Sequence, residues 1–299
     1  MATKISKRKG ILLAGGTGSR LLPSSLGTCK QLMPVYDKPL IYYSLSVLLL
    51  AGLRDILLIA TPDDLPRFQA LLGDGSQFGA AFSYAAQEHP RGIPEALLIG
   101  ADFIAGGPVA LALGDNIFFG AGLSARLRDA ANRTEGATTF AYQVSDPHRY
   151  GVVEFDDDWQ AISIEEKPAQ PKSNFAITGL YFYDHHAVEI ARTLTPSARG
   201  ELEITDLNRI YLERGQLFVK PLGRGSAWMD AGSEQSLLDA ANYVAAIERR
   251  QGLRIGCLEE IVWRQGWIDD AQLRRSGEKM KASGYGRYLL DLVASRAPA

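Results

Sequence analysis

The residues best suited to chemistry lie in one glycine-rich turn, Leu12-Leu13-Ala14-Gly15-Gly16-Thr17-Gly18-Ser19-Arg20-Leu21, directly after an apolar run. Glycines in that place let backbone N–H groups approach phosphate oxygens with no Cβ in the way. Position 21 is Leu where a dinucleotide fingerprint has its third glycine, and no Gly-Lys-Ser/Thr follows to complete a triphosphate loop. Positive charge comes instead from Arg20 and from Lys30, in Cys29-Lys30-Gln31-Leu32-Met33-Pro34. A glycine turn followed by Arg and Lys reads as a polyphosphate cradle. An ordinary turn with two solvated cations is the plainer alternative, and the turn alone does not choose between them.

Two aspartates could add a metal to this cradle. Asp115 lies in Gly114-Asp115-Asn116, after the apolar run Pro108–Leu113, and Asp230 lies in Trp228-Met229-Asp230-Ala231-Gly232. Open α/β sheets bind ligands beyond the carboxyl ends of their strands, and Mg²⁺ is commonly held by one or two carboxylates plus substrate phosphates. Either aspartate alone reads as a turn or cap residue. Lys167, in Glu165-Glu166-Lys167-Pro168, ends a strand-like run from which it would reach an anion; a surface charge cluster is the plainer reading. In Arg199-Gly200-Glu201-Leu202-Glu203-Ile204-Thr205-Asp206, the helix dipole alone accounts for the early acidic residues. His89, His148, His185 and His186 lack metal-binding spacing, and no Gly-x-Ser-x-Gly elbow marks a nucleophile.

The elements that must position these groups alternate in the first part of the chain. Strands are expected at Gly10–Ala14, Asp55–Ala60, Ala81–Ala86 and Pro108–Leu113. Between them, helices are expected at Leu40–Ala51 (closed by Gly52), Asp64–Leu72 (stopped by Gly73) and Pro94–Phe103. Such β-α-β-α order predicts a mostly parallel sheet with helices on both faces. Beyond residue 135 come closely spaced strand candidates, Thr138–Val144, Gly151–Phe155, Ala161–Glu165 and Ile177–Tyr183, which predict an antiparallel or mixed extension facing a substrate. Helical patterns return at Thr205–Arg214 and Ser233–Arg250, and Leu258–Ala294 reads as a helical appendage for packing or oligomerisation.

Composition limits the function classes. Charged residues make up 22% of the 299 residues, hydrophobic ones 46%, and the net charge is −2, so neither disorder nor a broad nucleic-acid-binding face is expected. The short run Lys7-Arg8-Lys9 reads as a solvated arm. Two distant cysteines, Cys29 and Cys257, make no disulfide framework or metal pair, which favours a reducing cytoplasm. The longest apolar candidate, Leu40–Leu53, is interrupted by Tyr42, Tyr43, Ser44 and Ser46, and no signal-like segment precedes the glycine turn. Neither membrane spanning nor secretion is expected.

Taken together, these segments resemble the glucose-1-phosphate thymidylyltransferases. The glycine turn, Lys30-Gln31-Leu32-Met33-Pro34-Val35-Tyr36-Asp37-Lys38-Pro39 and Leu113-Gly114-Asp115-Asn116-Ile117-Phe118 match that family's pattern. So do Tyr150-Gly151-Val152-Val153-Glu154-Phe155, Glu165-Glu166-Lys167-Pro168, Thr178-Gly179-Leu180-Tyr181 and Gly200-Glu201-Leu202-Glu203-Ile204-Thr205-Asp206, all in the same order. The glycine turn alone would mark only the wider sugar nucleotidyltransferases.

The resemblance implies a Rossmann-like α/β nucleotidyltransferase fold. It implies a catalytic domain over 9–250, with a nucleotide-binding part over 9–135 and a sugar-binding part over 136–230. A helical regulatory or oligomerisation segment would follow over 251–295. The implied reaction takes dTTP and α-D-glucose 1-phosphate to dTDP-glucose and pyrophosphate, with Mg²⁺, in nucleotide-sugar synthesis leading to dTDP-rhamnose or another deoxysugar. Leu13, Gly15, Gly16, Thr17 and Gly18 would wrap the nucleotide, Gln87 and Gly92 would meet the thymine, and Arg20, Lys30 and Lys167 would be the catalytic cations. Asp115 and Asp230 would hold Mg²⁺, and Gly151, Glu166, Lys167, Ile177, Tyr181, Arg199 and Glu201 would line the sugar-phosphate pocket. A cytoplasmic homotetramer, inhibited by a downstream dTDP-sugar at a separate site near Gly256–Ile261, is also implied, with no nucleic-acid or membrane partner.

The chain departs from that pattern at Leu22, at Cys29, at Ala231 and at Gly92-Ile93-Pro94-Glu95-Ala96, where the family has Gly-Leu-Ala-Gln-Ala. A carboxylate at 95 bears on base choice, so a nucleotidyltransferase of other base or sugar preference is the nearest rival. A sugar-nucleotide-binding regulator without activity is the rival from another class.

Overall fold

The computed structural model describes residues 8–16 and 18–295. Its first strand, Lys9–Leu13 (β1), carries the fully buried Ile11 and Leu12 on opposite faces, as a strand covered on both sides requires. Two short strands, Pro34–Val35 (β2) and Lys38–Pro39 (β3), pair antiparallel and lead into the helix Leu40–Leu50 (α1). Then follow Asp55–Ala60 (β4), the helix Leu65–Leu72 (α2) and Ala81–Ala86 (β5). The helix expected over 94–103 is instead two short ones, Glu95–Ile99 (α3) and Ala101–Ile104 (α4), meeting at Gly100. A Cβ on Gly100 would lie 2.7 Å from Ile11 Cδ1, so this break lets the helices lie close on the sheet. Val109–Leu113 (β6) completes the parallel part.

These four strands run parallel in the order β5-β4-β1-β6. The chain steps outward from β1 through β4 to β5, then returns to the other side of β1 for β6. The order therefore reverses between β1 and β6, which opens a crevice at their carboxyl ends where ligands of such sheets bind.

The second part adds Asn116–Phe119 (β7), the helix Leu123–Asn132 (α5), Ala137–Gln143 (β8), Gly151–Phe155 (β9), Ala161–Glu166 (β10) and Phe175–Tyr183 (β11). Helices Ala187–Thr193 (α6) and Ile204–Glu213 (α7) precede Leu217–Pro221 (β12), Ala227–Asp230 (β13) and the helix Glu234–Gln251 (α8). Strand β11 pairs antiparallel with β6 on one edge and with β8 on the other, and its N-terminal end meets β9 at Ala176–Val152. Strands β9 and β10 pair antiparallel, and β12 runs parallel to β8. The expected mixed extension is thus present.

Sequence reading overlooked β7, α5, α6, β12 and β13. Strand β13 has four residues, and the apolar face of α5 is only Leu123, Leu127, Ala130 and Ala131, so neither offers a long period to read.

The C-terminal region is helical, with Leu258–Arg264 (α9), Asp270–Lys279 (α10) and Gly284–Ala294 (α11). Leu258 and Val262 of α9 join the same buried cluster as Ile41 and Leu45 of α1. Cys257, Leu273, Tyr285 and Leu289 form a small core of their own. Among the described residues, no helix is long and apolar enough to cross a membrane.

The basic run at the N-terminus is not the solvated arm expected of it. Lys7 lies outside the described residues, but Arg8 is 3% exposed and Lys9 opens β1. The Arg8 guanidinium donates to the carbonyls of Ala131 at 3.0 Å and Val109 at 2.8 Å, and also to those of Tyr183 and Arg133. Four carbonyls from three separate segments converge there, and a planar group with five donors satisfies them together. Burial lowers the Arg8 pKa to about 10.

Candidate active site

The glycine turn leaves β1 at the crevice between β1 and β6. Gly16 and Gly18 have φ of 104° and 59°, the left-handed region that glycine enters without a steric cost. A Cβ on Gly15 would lie 2.5 Å from Gln87 Oε1, so position 15 must stay bare for the Gln87 side chain to occupy its place. Gln31 Nε2 donates to Gly15 O at 3.1 Å and Ser25 Oγ to Gly18 O at 2.9 Å, fixing the turn from behind. Single helical turns at Ser19–Leu21 and Lys30–Leu32 then present Arg20 and Lys30. Thr17 lies outside the described residues.

Both aspartates reach this crevice by different routes. Asp115 follows β6, and its Oδ2 is 2.5 Å from Lys30 Nζ while its Oδ1 accepts from Asn116 Nδ2 at 2.7 Å. Asp230 ends β13, paired with Asn116 across the β7–β13 ribbon, and accepts from the Tyr150 hydroxyl at 2.7 Å. The Arg149 guanidinium lies 4.0 Å from Asp230 Oδ2. A Cβ on Gly232 would lie 3.1 Å from Asp230 Oδ2 and 3.6 Å from an Arg20 guanidinium nitrogen, so both side chains flank Gly232.

The two carboxyls are driven apart in pKa. Burial would raise Asp115, but the Lys30 ammonium and the hydrogen bonds from Lys30 and Asn116 outweigh it and hold it below the usual range. Burial raises Asp230, and the nearby Asp115 charge adds to that against the Tyr150 hydrogen bond. Two carboxyls, one held back from ionising by burial and, to a lesser degree, by the charge of the other, are a donor set that a hard divalent cation suits.

A second cluster forms the other wall of the cleft. Leu13, Gly15, Gly16, Gln87, Gly92, Glu166, Lys167, Arg199 and Glu201 line one cavity of about 200 Å³. Gly92, at φ 110°, forms an isolated bridge with Leu202, and the Leu202 N–H donates to Arg91 O at 2.8 Å. Glu166 accepts from Thr205 Oγ1 at 2.5 Å and from Arg199 at 3.3 Å. Arg199 also lies 2.6 Å from Glu203, whose pKa burial would raise but Arg199 and Ser197 lower. Lys167 has φ 42°, an uncommon strain for a side chain of this size, and its N–H donates to Tyr150 O at 3.0 Å. That bond links the wall to Asp230 through Tyr150. A Cβ on Gly151 would lie 3.5 Å from Glu166 Oε2, placing Gly151 beneath the same wall.

Ile177 and Tyr181 of β11 are buried and stand behind this cavity rather than along it. Burial raises the Tyr181 hydroxyl pKa, and the charges of Glu166 and Asp115 add to it, while the ring stacks on Tyr183.

Sequence reasoning missed several supporting groups. Asn116 Oδ1 accepts from Gly179 N at 3.0 Å and from Trp228 Nε1 at 2.6 Å, locking β7, β11 and β13 together. Tyr150, Glu203 and Thr205 hold Asp230, Arg199 and Glu166 respectively. All four lie inside segments the resemblance quotes, but only the tertiary contacts give them work. The ligating atoms of Asp184, His185 and His186 fall within 4.8 Å of one another, away from the cleft. Both Asp184 oxygens there already accept, from Tyr211, His186 N and Gly136 N.

A parallel sheet whose strand order reverses beside a glycine loop, two carboxylates and three cations defines a class of enzyme that handles nucleoside phosphates. A model of the nucleotidyl transferase family matches residues 9–247. Glucose-1-phosphate thymidylyltransferases of Neisseria meningitidis and Mycolicibacterium smegmatis are 57% and 58% identical over 285 residues, 95% of this chain and 99% of each relative. A Bacillus anthracis crystal structure in complex with a sucrose superposes with a TM-score of 0.73 at 40% identity, covering 79% of this chain and 94% of that one. UDP-glucose pyrophosphorylase complexed with UDP-glucose gives 0.69 at 23% identity, over 81% of this chain and 99% of that one, a likeness of fold alone. The chain belongs to the nucleotidyl transferase family and, within it, to the glucose-1-phosphate thymidylyltransferases.

Proposed function

We propose that the chain transfers a thymidylyl group from dTTP to α-D-glucose 1-phosphate, releasing pyrophosphate. The observation that carries this reading is the meeting of Lys30, Asp115, Asp230 and Arg20 at the mouth of the glycine turn, in a chain 57% identical to a thymidylyltransferase over nearly its full length. The attacking oxygen of the sugar phosphate is already an anion, so the reaction needs no strong general base. It needs two polyanions brought into line and the departing charge stabilised.

Each group has a part in that. Gly15, Gly16 and Gly18 offer backbone N–H groups to the triphosphate. Arg20 and Lys30 neutralise it, and Arg20 stabilises the leaving pyrophosphate. Lys167 orients the sugar phosphate within the wall built by Gly151, Glu166, Arg199 and Glu201. The new P–O bond forms at the α-phosphorus as the bond to pyrophosphate breaks, and its electron pair leaves with pyrophosphate. Asp115 and Asp230 would hold Mg²⁺, which when bound supplies further neutralisation of phosphate charge. Lys30 then has a second task, keeping Asp115 ionised and oriented.

By the same reading, residues 9–135 serve the nucleotide, 136–230 the sugar phosphate, and 251–295 regulation or assembly of a cytoplasmic homotetramer. A separate cavity of about 520 Å³, lined in part by Phe119, Arg128, Gly256, Glu260 and Ile261, would take the inhibitory sugar nucleotide. The test is pyrophosphate release from each nucleoside triphosphate with glucose 1-phosphate and Mg²⁺. Preference for dTTP supports the reading. Preference for UTP would move the chain to another base, and no release with any sugar phosphate would make it a binding protein.

A further inference from the structure

Gln87 follows β5 at the edge of the cleft, 5% exposed, with its N–H donating to Ala60 O at 2.8 Å. Its side-chain Nε2 donates to Glu95 Oε2 at 2.7 Å. A carboxylate accepts hydrogen bonds and donates none, whereas an amide does both. The Glu95 carboxylate therefore fixes which way the Gln87 amide faces. Glu95 is itself anchored: Oε2 also accepts from Arg91 N at 3.3 Å, and Oε1 lies 3.8 Å from Arg91 Nε. With Nε2 turned to Glu95, Gln87 Oε1 points back to the glycine turn, 2.5 Å from where a Gly15 Cβ would sit. Among the described residues no donor pairs with Oε1, and Gln87 lines the cavity.

We propose that Glu95 is a positioning residue for base selection. By holding the Gln87 amide in one orientation it presents an acceptor, Oε1, to the nucleobase. An acceptor there suits a base that carries a ring imide N–H, as thymine and uracil do, and opposes cytosine, whose corresponding ring nitrogen is itself an acceptor. This rests on the reading that Gln87 meets the base of a bound nucleoside triphosphate. An amide at position 95 would let Gln87 turn over and offer Nε2 to cytosine. Thymine and uracil share the imide N–H, so Glu95 does not choose between them; other contacts in the cleft must.

The test compares kcat and KM for dTTP, dUTP and dCTP, with glucose 1-phosphate, in the parent, Glu95→Gln, Gln87→Ala and the double variant. The near-isosteric Glu95→Gln should lower the dTTP/dCTP ratio of kcat/KM by roughly 10-fold, the size of one neutral hydrogen bond, mainly through a lower KM for dCTP. The dTTP/dUTP ratio should stay within about two-fold, and in the Gln87→Ala background the same substitution should lose its effect. A dTTP/dCTP ratio unmoved by Glu95→Gln, or an equal fall when Gln87 is already gone, would overturn the proposal. Were the parent to turn over none of the triphosphates, the function itself would fail. Calorimetric binding of dTDP against dCDP then tests Glu95 separately, because the same loss of preference is required there.

Discussion

Gly92→Ala is the substitution whose consequences the structure specifies most closely. A Cβ at position 92 would lie 2.1 Å from Leu202 O, 2.7 Å from Leu202 N and 2.9 Å from Leu202 C. All three are backbone atoms, so no rotamer change relieves the clash. The φ of 110° is also outside the range that alanine adopts comfortably. Keeping the native backbone would add strain of about 1–3 kcal/mol to overpacking of about 1–3 kcal/mol. The cheaper escape is to part the two loops, which breaks the Leu202 N–H bond to Arg91 O, worth about 1 kcal/mol, and shifts the Arg199–Glu203 segment.

The loss should therefore lie between about 1 kcal/mol, if the loops part freely, and about 6 kcal/mol, if the backbone holds, with a drop of several degrees in melting temperature. Activity should fall further than stability accounts for, because the parted loops adjoin the cavity that Gln87 and Arg199 line, the proposed place of base and sugar phosphate. Gly252→Ala is the control: its φ is 70°, and nothing lies within 4 Å of its Cβ position, so it carries only the backbone strain. Melting curves and kcat/KM for both substrates, measured on the parent and the two variants, decide the matter. If Gly92→Ala melts with Gly252→Ala and keeps the parental kcat/KM, the close approach of the two loops is wrong.

Three other outcomes follow from the same geometry. Arg20→Ala should lower kcat by about 100-fold or more while leaving the melting temperature within a degree or so, because Arg20 is exposed rather than packed in the core and is proposed to stabilise the leaving pyrophosphate; near-normal turnover would remove Arg20 from the mechanism. Asp230→Asn should abolish most Mg²⁺-dependent turnover yet hold or raise stability at neutral pH, since burial and the Asp115 charge already oppose ionisation of Asp230; a variant that unfolds at neutral pH would contradict this. Glu203, whose folded pKa is lowered, contributes stability above its unfolded value near 4.5 that is lost as pH falls through the lower folded value. Arg199→Met should therefore destabilise most at neutral pH and converge with the parent in acid, and a gap that stays constant in thermal melts down to acid pH would show the pair is not coupled.

The sequence by itself determined much of this protein. Apolar runs at 10–14, 55–60 and 108–113 separated by helical periods leave little choice but a parallel sheet, because each run must be buried on both faces. Glycines at 15, 16 and 18 before Arg20 mark a candidate phosphate loop because backbone conformation and charge are local properties. What is local is legible. Strand order is not, and it was the tertiary structure that set β6 against β1 and so opened the crevice between their ends. It also brought Asp230 to Asp115 through the four-residue ribbon β7–β13, too short to announce itself in sequence. The Lys7-Arg8-Lys9 run makes the same point in reverse: its charge suggested solvent, but converging carbonyls took Arg8 inside. Glu95 looked like a departure that clouded base choice, and only its 2.7 Å bond to Gln87 gives that departure a physical meaning. Hydrogen bonds between residues distant in sequence depend on where the chain returns, and no local pattern encodes that.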